Sequence, residues 1–311
     1  MDLIAYKTVK RKLKKSQYNS KIYLGDEMKV EYGQDGVHIK EAPCFSSDLI
    51  FDCGQAFRFS KNARSNWQGV AFGRVLEVSQ NADEIVLLNQ SKEDYERIWR
   101  DYFDLQRDYD EILDRFCCDE LLQRSAEENY GIRLLRQQPW ETLCSFIISQ
   151  NNNIPRIKGI IDRLCKTFGE KIDEENYSFP EAEVLASLEP EDLAPIRAGF
   201  RNKYIIDAAR KVTSGEVDLK SLYSLSLDEA QQELLKIKGV GAKVAQCVLL
   251  FAYGKQDAFP VDVWVKRVMT LYPQGLPEEV ADCRGIVQQY LFHYIRLHPQ
   301  IQTLTEVEKA L

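Results

Sequence analysis

The 311 residues are 44% hydrophobic and 11% aromatic, enough for two or three packed layers or subdomains, so a soluble globular protein is expected. No apolar run approaches the roughly 20 residues of a membrane span, and Met1-Asp2-Leu3-Ile4 leads into basic residues instead of a signal-peptide core, which makes the cytoplasm the expected location. Set against 48 acidic residues, the 41 basic ones leave a net charge of −7, which excludes a uniformly basic nucleic-acid binder but not a local cationic patch.

Residues 1–21 read as a basic extension, with Lys7, Lys10, Arg11, Lys12, Lys14 and Lys15 crowded into 7–15; such a run is either a solvated tail or an arm that tracks a polyanion. From 22 to about 90 apolar and polar residues alternate, in Ile22-Tyr23-Leu24, Val30-Glu31-Tyr32, Val37-His38-Ile39, Phe57-Arg58-Phe59, Gly69-Val70-Ala71-Phe72, Val75-Leu76-Glu77-Val78 and Ile85-Val86-Leu87-Leu88. With Gly, Asn and Asp turns between them, these segments predict an antiparallel sheet. Beyond Asp94 the period becomes helical, as in Leu143, Phe146, Ile147 and in Ile157, Ile160, Ile161, Leu164. The expected fold is α+β: a sheet domain with flanking helices over 22–125, then an all-helical body over 126–311. Breaks at Asn151-Asn152-Asn153, Gly199, Phe259-Pro260 and Pro273-Gln274-Gly275 divide that body into helices of ordinary length. The eight cysteines contain no C-x-x-C pair and no zinc-like spacing, so no metal, disulfide or other cofactor is expected.

The sharpest local signal lies within 231–253, where Leu234-Leu235-Lys236-Ile237-Lys238 runs into Gly239-Val240-Gly241 and a new amphipathic helix starts at Ala242. Two glycines permit left-handed backbone and leave amides uncovered at a helix N-terminus, where a phosphate binds well. A plain bend between helices explains the glycines equally; the basic neighbours Lys236, Lys238, Lys266 and Arg267 favour a DNA backbone.

Lys243 falls in the first turn of the second helix, an unfavourable place for a cation because that end of the macrodipole is positive. The same field favours the neutral amine that a nucleophilic lysine requires; the bland alternative is an exposed lysine reaching for a phosphate. Further on, Asp262 in Phe259-Pro260-Val261-Asp262 has the position of a helix N-cap. A carboxylate held there by backbone amides can also stabilise a developing sugar cation, and the two roles are compatible.

The hairpin, Lys243 and the Pro260-Val261-Asp262 segment resemble the helix-hairpin-helix glycosylase superfamily, in which the lysine marks the bifunctional branch. The iron-sulfur branch is disfavoured, because the only cysteine after Cys247 is Cys283. Four further segments resemble the 8-oxoguanine DNA glycosylase/lyase family: Cys53-Gly54-Gln55-Ala56-Phe57-Arg58; the stretch from Leu134 to Pro139 continuing to Ser149-Gln150-Asn151-Asn152-Asn153-Ile154-Pro155-Arg156; Gly199-Phe200-Arg201-Asn202-Lys203-Tyr204; and Gly285 to Phe292.

That resemblance implies a TBP-like sheet domain before the helical body, and an enzyme that removes oxidised guanine opposite cytosine from duplex DNA through a lysine Schiff base, acting as a monomer. It implies roles residue by residue. Lys243 is the nucleophile and Asp262 its carboxylate partner. Cys247 and Phe292 sandwich the extruded base beside Pro260, Gln288 reads its Watson–Crick edge, and the Gly54 carbonyl accepts N7–H, a proton guanine lacks. Arg156 and Arg201 address the estranged cytosine, while Asn151 and Phe200 fill the vacated stack. Gly239, Gly241, Val244 and Trp264 face the phosphates. Phe200 and Trp264 depart from the pattern, standing where well-known eukaryotic members have tyrosine and histidine. Read without the family, Cys247 and Phe292 are ordinary core residues and Gly54 a strand-turn glycine. A water-activating alkyl-base glycosylase, which needs no lysine at 243, and a non-catalytic DNA-gripping hairpin are the competing readings.

Overall fold

The computed structural model describes residues 28–82 and 84–301. The basic run at 7–15 and the expected strand at Ile22-Tyr23-Leu24 lie outside them.

Six strands, β1 (Lys29–Tyr32), β2 (Gly36–Lys40), β3 (Phe59–Lys61), β4 (Trp67–Ala71), β5 (Arg74–Gln80) and β6 (Glu84–Leu88), pair in the order β1-β2-β6-β5-β4-β3. Every pairing is antiparallel. Register follows the period-two pattern: Val37 and Val78 both stand opposite Leu87, so their side chains share one buried face. That face is covered by α1 (Ser47–Asp52), which Ser46 caps, and by helical turns from Lys92 to Tyr102. Phe51 stacks on Phe59 with ring centroids 4.2 Å apart, and Trp99, Tyr102 and Phe103 close the layer. Burying an aromatic of this kind contributes about 2–3 kcal/mol. The outer strand β1 is kept from further pairing by charge, with Glu31 and Lys40 in contact at 2.6 Å.

The helical body comprises α2 (Tyr109–Arg115), α3 (Glu120–Glu128), α4 (Pro139–Ser149), α5 (Ile154–Phe168), α6 (Ala182–Ala186), α7 (Asn202–Thr213), α8 (Leu227–Leu235), α9 (Ala242–Phe251), α10 (Val263–Met269) and α11 (Arg284–Leu297). Helices α4 and α9 are apolar around nearly their whole circumference and pack together at its centre. Helices α2 and α3 belong by packing to this body, and so do Cys53 and Phe57 from the sheet half. Between Leu105 and Tyr109 the chain passes from the sheet core to the helical core, and Leu135 returns to the sheet side.

Arg133 fastens the halves together. Its guanidinium, buried over the Tyr109 ring at 4.4 Å, donates to the carbonyls of Pro43, Cys44, Phe103, Asp104 and Arg107. No helix among the described residues is long and apolar enough to cross a membrane.

Candidate active site

The hairpin between α8 and α9 is tight for a steric reason. Gly239 sits at φ +82°, and a Cβ there would stand 2.4 Å from the Tyr204 ring. Gly241 instead faces open space and caps α9 without a side chain. The first amides of α9, including that of Val244, have no intrahelical partner and point outward past it. Among nearby cations, Lys236 is held by Glu233 at 2.7 Å, whereas the exposed Lys238 and Lys266 make no ion pair among the described residues.

Lys243 is the second residue of α9, and its Nζ lies 5.4 Å from the centre of the Phe146 ring on α4. Cys247, one turn on, is buried. Burial pushes its thiol up, Lys243 opposes that shift by charge and hydrogen bonding, and Asp262 reinforces it. The three groups thus share one electrostatic neighbourhood. Asp262 caps α10 with Oδ1 alone, which accepts from Trp264 N at 2.9 Å and Val265 N at 2.8 Å. Its Oδ2 accepts no hydrogen bond among the described residues and remains available to a cationic centre. The capping and catalytic readings of Asp262 are compatible in this geometry.

What holds the Asp262 segment on the helix of Lys243 is a residue that sequence reasoning missed. Gln246, between Lys243 and Cys247, accepts from Phe259 N at 2.8 Å and donates to Gln231 on α8. It ties the segment carrying buried Pro260 and Asp262 to the nucleophile's helix. The approach of α11 depends on Gly285, where a Cβ would meet Leu250 at 2.3 Å; its amide donates to Gln256 O at 2.7 Å.

Across from this group lies the turn after α1. Gly54 has φ +84°, and a Cβ on it would stand 3.5 Å from both Phe292 Cε1 and Ile154 Cδ1. The carbonyls on either side are occupied: Cys53 O accepts from Gln289 and Gln55 O from Gln137, at 2.9 and 2.8 Å. The Gly54 carbonyl accepts nothing among the described residues. Nearby on α11, Gln288 is buried with Oε1 unpaired. The Gly54 carbonyl, the unpaired Gln288 Oε1 and the Phe292 ring are groups of the kind that bind the edge and face of a flat heteroaromatic ring. Phe57 and Phe146, 5.8 Å apart, connect the Gly54 turn to the ring beneath Lys243.

A second cluster stands at the loop between α4 and α5. Asn151 is exposed at φ +47°, and Asn153 caps α5 by accepting from Arg156 N. Arg201 is buried with its guanidinium donating to the carbonyls of Gln150, Asn151 and Ala198, so it braces the loop that presents Asn151. Burial pushes the Arg201 guanidinium down, and neighbouring Arg156 adds to the effect. Arg156 is exposed and makes no ion pair among the described residues, which suits an acceptor from outside. Phe200 projects from the surface, its ring edge against Tyr204 at 5.9 Å, so this aromatic is braced on the hairpin through Gly239. Trp264 packs partly against the core, and its amide donates to Asp262.

Residues 37–143 match the family described as 8-oxoguanine DNA glycosylase, N-terminal domain, and residues 144–275 match the HhH-GPD superfamily of base excision DNA repair proteins. The chain is 30% identical over 228 residues to a probable N-glycosylase/DNA lyase of Methanothermobacter thermautotrophicus, covering 62% of this chain and 72% of that one. It is 40% identical over 153 residues to the N-glycosylase/DNA lyase of Saccharomyces cerevisiae; this match covers 44% of the chain and spans 41% of the yeast protein's length. The 8-oxoguanine glycosylase/lyase of Clostridium acetobutylicum, solved with double-stranded DNA containing cytosine opposite 8-oxoguanine, superposes with a TM-score of 0.82 at 38% identity, covering 88% of this chain and all of that one.

Proposed function

This chain belongs to the 8-oxoguanine DNA glycosylase/lyase family of the HhH-GPD superfamily, and we propose that it excises 8-oxoguanine opposite cytosine from duplex DNA with Lys243 as nucleophile. One observation carries the assignment of the lysine: the charges of Lys243 and Asp262 both act on the buried Cys247 thiol, and the Asp262 Oδ2 accepts no hydrogen bond among the described residues.

Duplex DNA would seat its phosphates on the outward amides around Gly241 and Val244, with Lys238 and Lys266 alongside. Extrusion of the lesion costs a few kcal/mol; Phe200 and Asn151 occupy the space it leaves, and Arg156 and Arg201 address the cytosine. The base enters the slot between Cys247 and Phe292. There Gly54 accepts N7–H and Gln288 Oε1 accepts from the Watson–Crick edge. Guanine would present a lone pair to the Gly54 carbonyl, a mismatch that costs about 1–3 kcal/mol in a buried site.

In the chemical step the neutral Lys243 amine forms a bond to C1′ as the C1′–N9 bond breaks, and the electron pair leaves with the base, which takes up a proton. Asp262 Oδ2 stabilises the sugar cation in that transition state. Ring opening gives the Schiff base, loss of a C2′ proton expels the 3′ phosphate, and water releases the lysine. An enzyme that activated water would not need a lysine in this place. The eight free cysteines fit a reducing compartment.

The reading is tested with a duplex carrying one 8-oxoguanine opposite cytosine, scoring free base and strand nicks separately. Release of 8-oxoguanine with nicking in the absence of alkali is expected. Base release without any nick would overturn the lysine mechanism, and the absence of both would overturn the function.

A further inference from the structure

Gln288, Phe292 and Arg296 lie one turn apart on one face of α11. The last of them has no counterpart among the site residues named above, yet it reaches the same slot. Arg296 Nη2 donates to Asp52 O at 2.9 Å, and the guanidinium lies 5.6 Å from the centre of the Phe292 ring. Its Nη1 is buried with no hydrogen-bond partner. That atom is 3.3 Å from the place a Cβ on Gly54 would occupy, nearer than Phe292 itself. A buried cationic donor left without an acceptor is costly, and such a group marks a place where an acceptor arrives from outside. The anchored Nη2 and the aromatic ring fix the guanidinium, so its free N–H bonds are held at the Gly54 turn.

Arg296 Nη1 and the Gly54 carbonyl thus offer a donor and an acceptor at one turn. On the Hoogsteen edge of a purine, the atom next to N7 is the substituent on C6. In 8-oxoguanine that edge reads O6 acceptor, N7–H donor. Guanine offers two acceptors there, and 8-oxoadenine offers two donors, its amino group and N7–H. We propose that Arg296 is a specificity-determining residue of the base pocket, donating from Nη1 to O6 of the extruded purine beside the N7–H contact at Gly54. The inference rests on the functional reading above. In this arrangement Gly54 rejects undamaged guanine, while Arg296 rejects oxidised adenine.

Single-turnover excision of 8-oxoguanine and of 8-oxoadenine, each opposite cytosine in the same duplex, tests this with the full-length protein. The ratio of the two rates is read, because both lesions are assayed on one preparation and loss of folded protein cancels. Arg296→Met is expected to lower the preference for 8-oxoguanine by about 10- to 100-fold, the weight of a charge-assisted hydrogen bond. Arg296→Lys, which keeps a cationic donor on an aliphatic stem, is expected to retain the preference to within about threefold. A ratio unchanged in Arg296→Met, with both lesions slowed alike or neither slowed, would show that the arginine only supports Phe292 and would overturn the proposal. A wild-type protein that releases neither base would overturn the functional reading together with it.

Discussion

Arg58 pairs with Glu141 across the seam between the sheet and the helical body, Nη1 lying 3.2 Å from Oε2 with both side chains largely covered. Arg58 follows the Gly54 turn, and Glu141 opens the helix that carries Phe146 beneath Lys243, so this pair spans the two halves of the site. Burial pushes the Glu141 carboxyl up, and the Arg58 charge opposes it. Arg58→Met is expected to lower the unfolding free energy by about 3–5 kcal/mol, because it leaves a buried carboxyl without its partner. Urea titration checks this, and the Arg58→Met/Glu141→Leu double variant should recover most of the loss.

Gly54→Ala carries two penalties. At φ +84° an L side chain is strained by roughly 1–2 kcal/mol, and its Cβ would stand within 3.5 Å of Phe292, Ile154 and Arg296 in the slot itself. Excision of 8-oxoguanine under single-turnover conditions should fall at least about tenfold. Nicking of a preformed abasic site, which has no base to seat, should fall far less.

Much of this was legible along the chain. Strand pairing followed from alternation in segments such as Val37-His38-Ile39, and Lys243 and Asp262 were visible because a hairpin turn and an N-cap are local signals. The segment Phe57-Arg58-Phe59 reads as strand throughout, but β3 begins only at Phe59, since Arg58 turns away to Glu141. Gln137, Gln246, Gln289 and Arg296 left no trace, because their roles are set by tertiary partners; Gln289 meets a carbonyl 236 positions away. Arg201 was legible as a cation near the lesion, but not as the brace of the Asn151 loop, which depends on three carbonyls brought to it by folding.

His293, next to Phe292, is buried with Nδ1 unpaired. Burial, helped by the charge of Arg296, pushes it down to about 4. Unfolded, the ring titrates near 6.5. Between those values the unfolded chain binds the extra proton, so the contribution to stability is complete above about pH 6.5 and is lost as pH falls towards 4. The loss amounts to about 3 kcal/mol between neutral pH and pH 4. In thermal unfolding, His293→Leu should show a shallower decline over that interval than the wild type; equal declines would contradict the assignment.

Arg156 is exposed and adjacent to Arg201 in charge, whereas Arg201 also braces the loop that presents Asn151. Arg156→Ala should therefore relax the choice of opposite base without unfolding the protein, reducing the preference for cytosine over adenine by about tenfold. Arg201→Ala should lower both that preference and stability. Excision from duplexes differing only in the opposite base, with melting curves of both variants, separates the two effects.

Borohydride trapping tests the central claim most directly, using a duplex with one 8-oxoguanine opposite cytosine, an undamaged duplex and the Lys243→Gln protein. The account predicts a covalent protein–DNA adduct that requires both the lesion and Lys243. An adduct of normal yield in Lys243→Gln, or none in the wild type while free base is released, would contradict it.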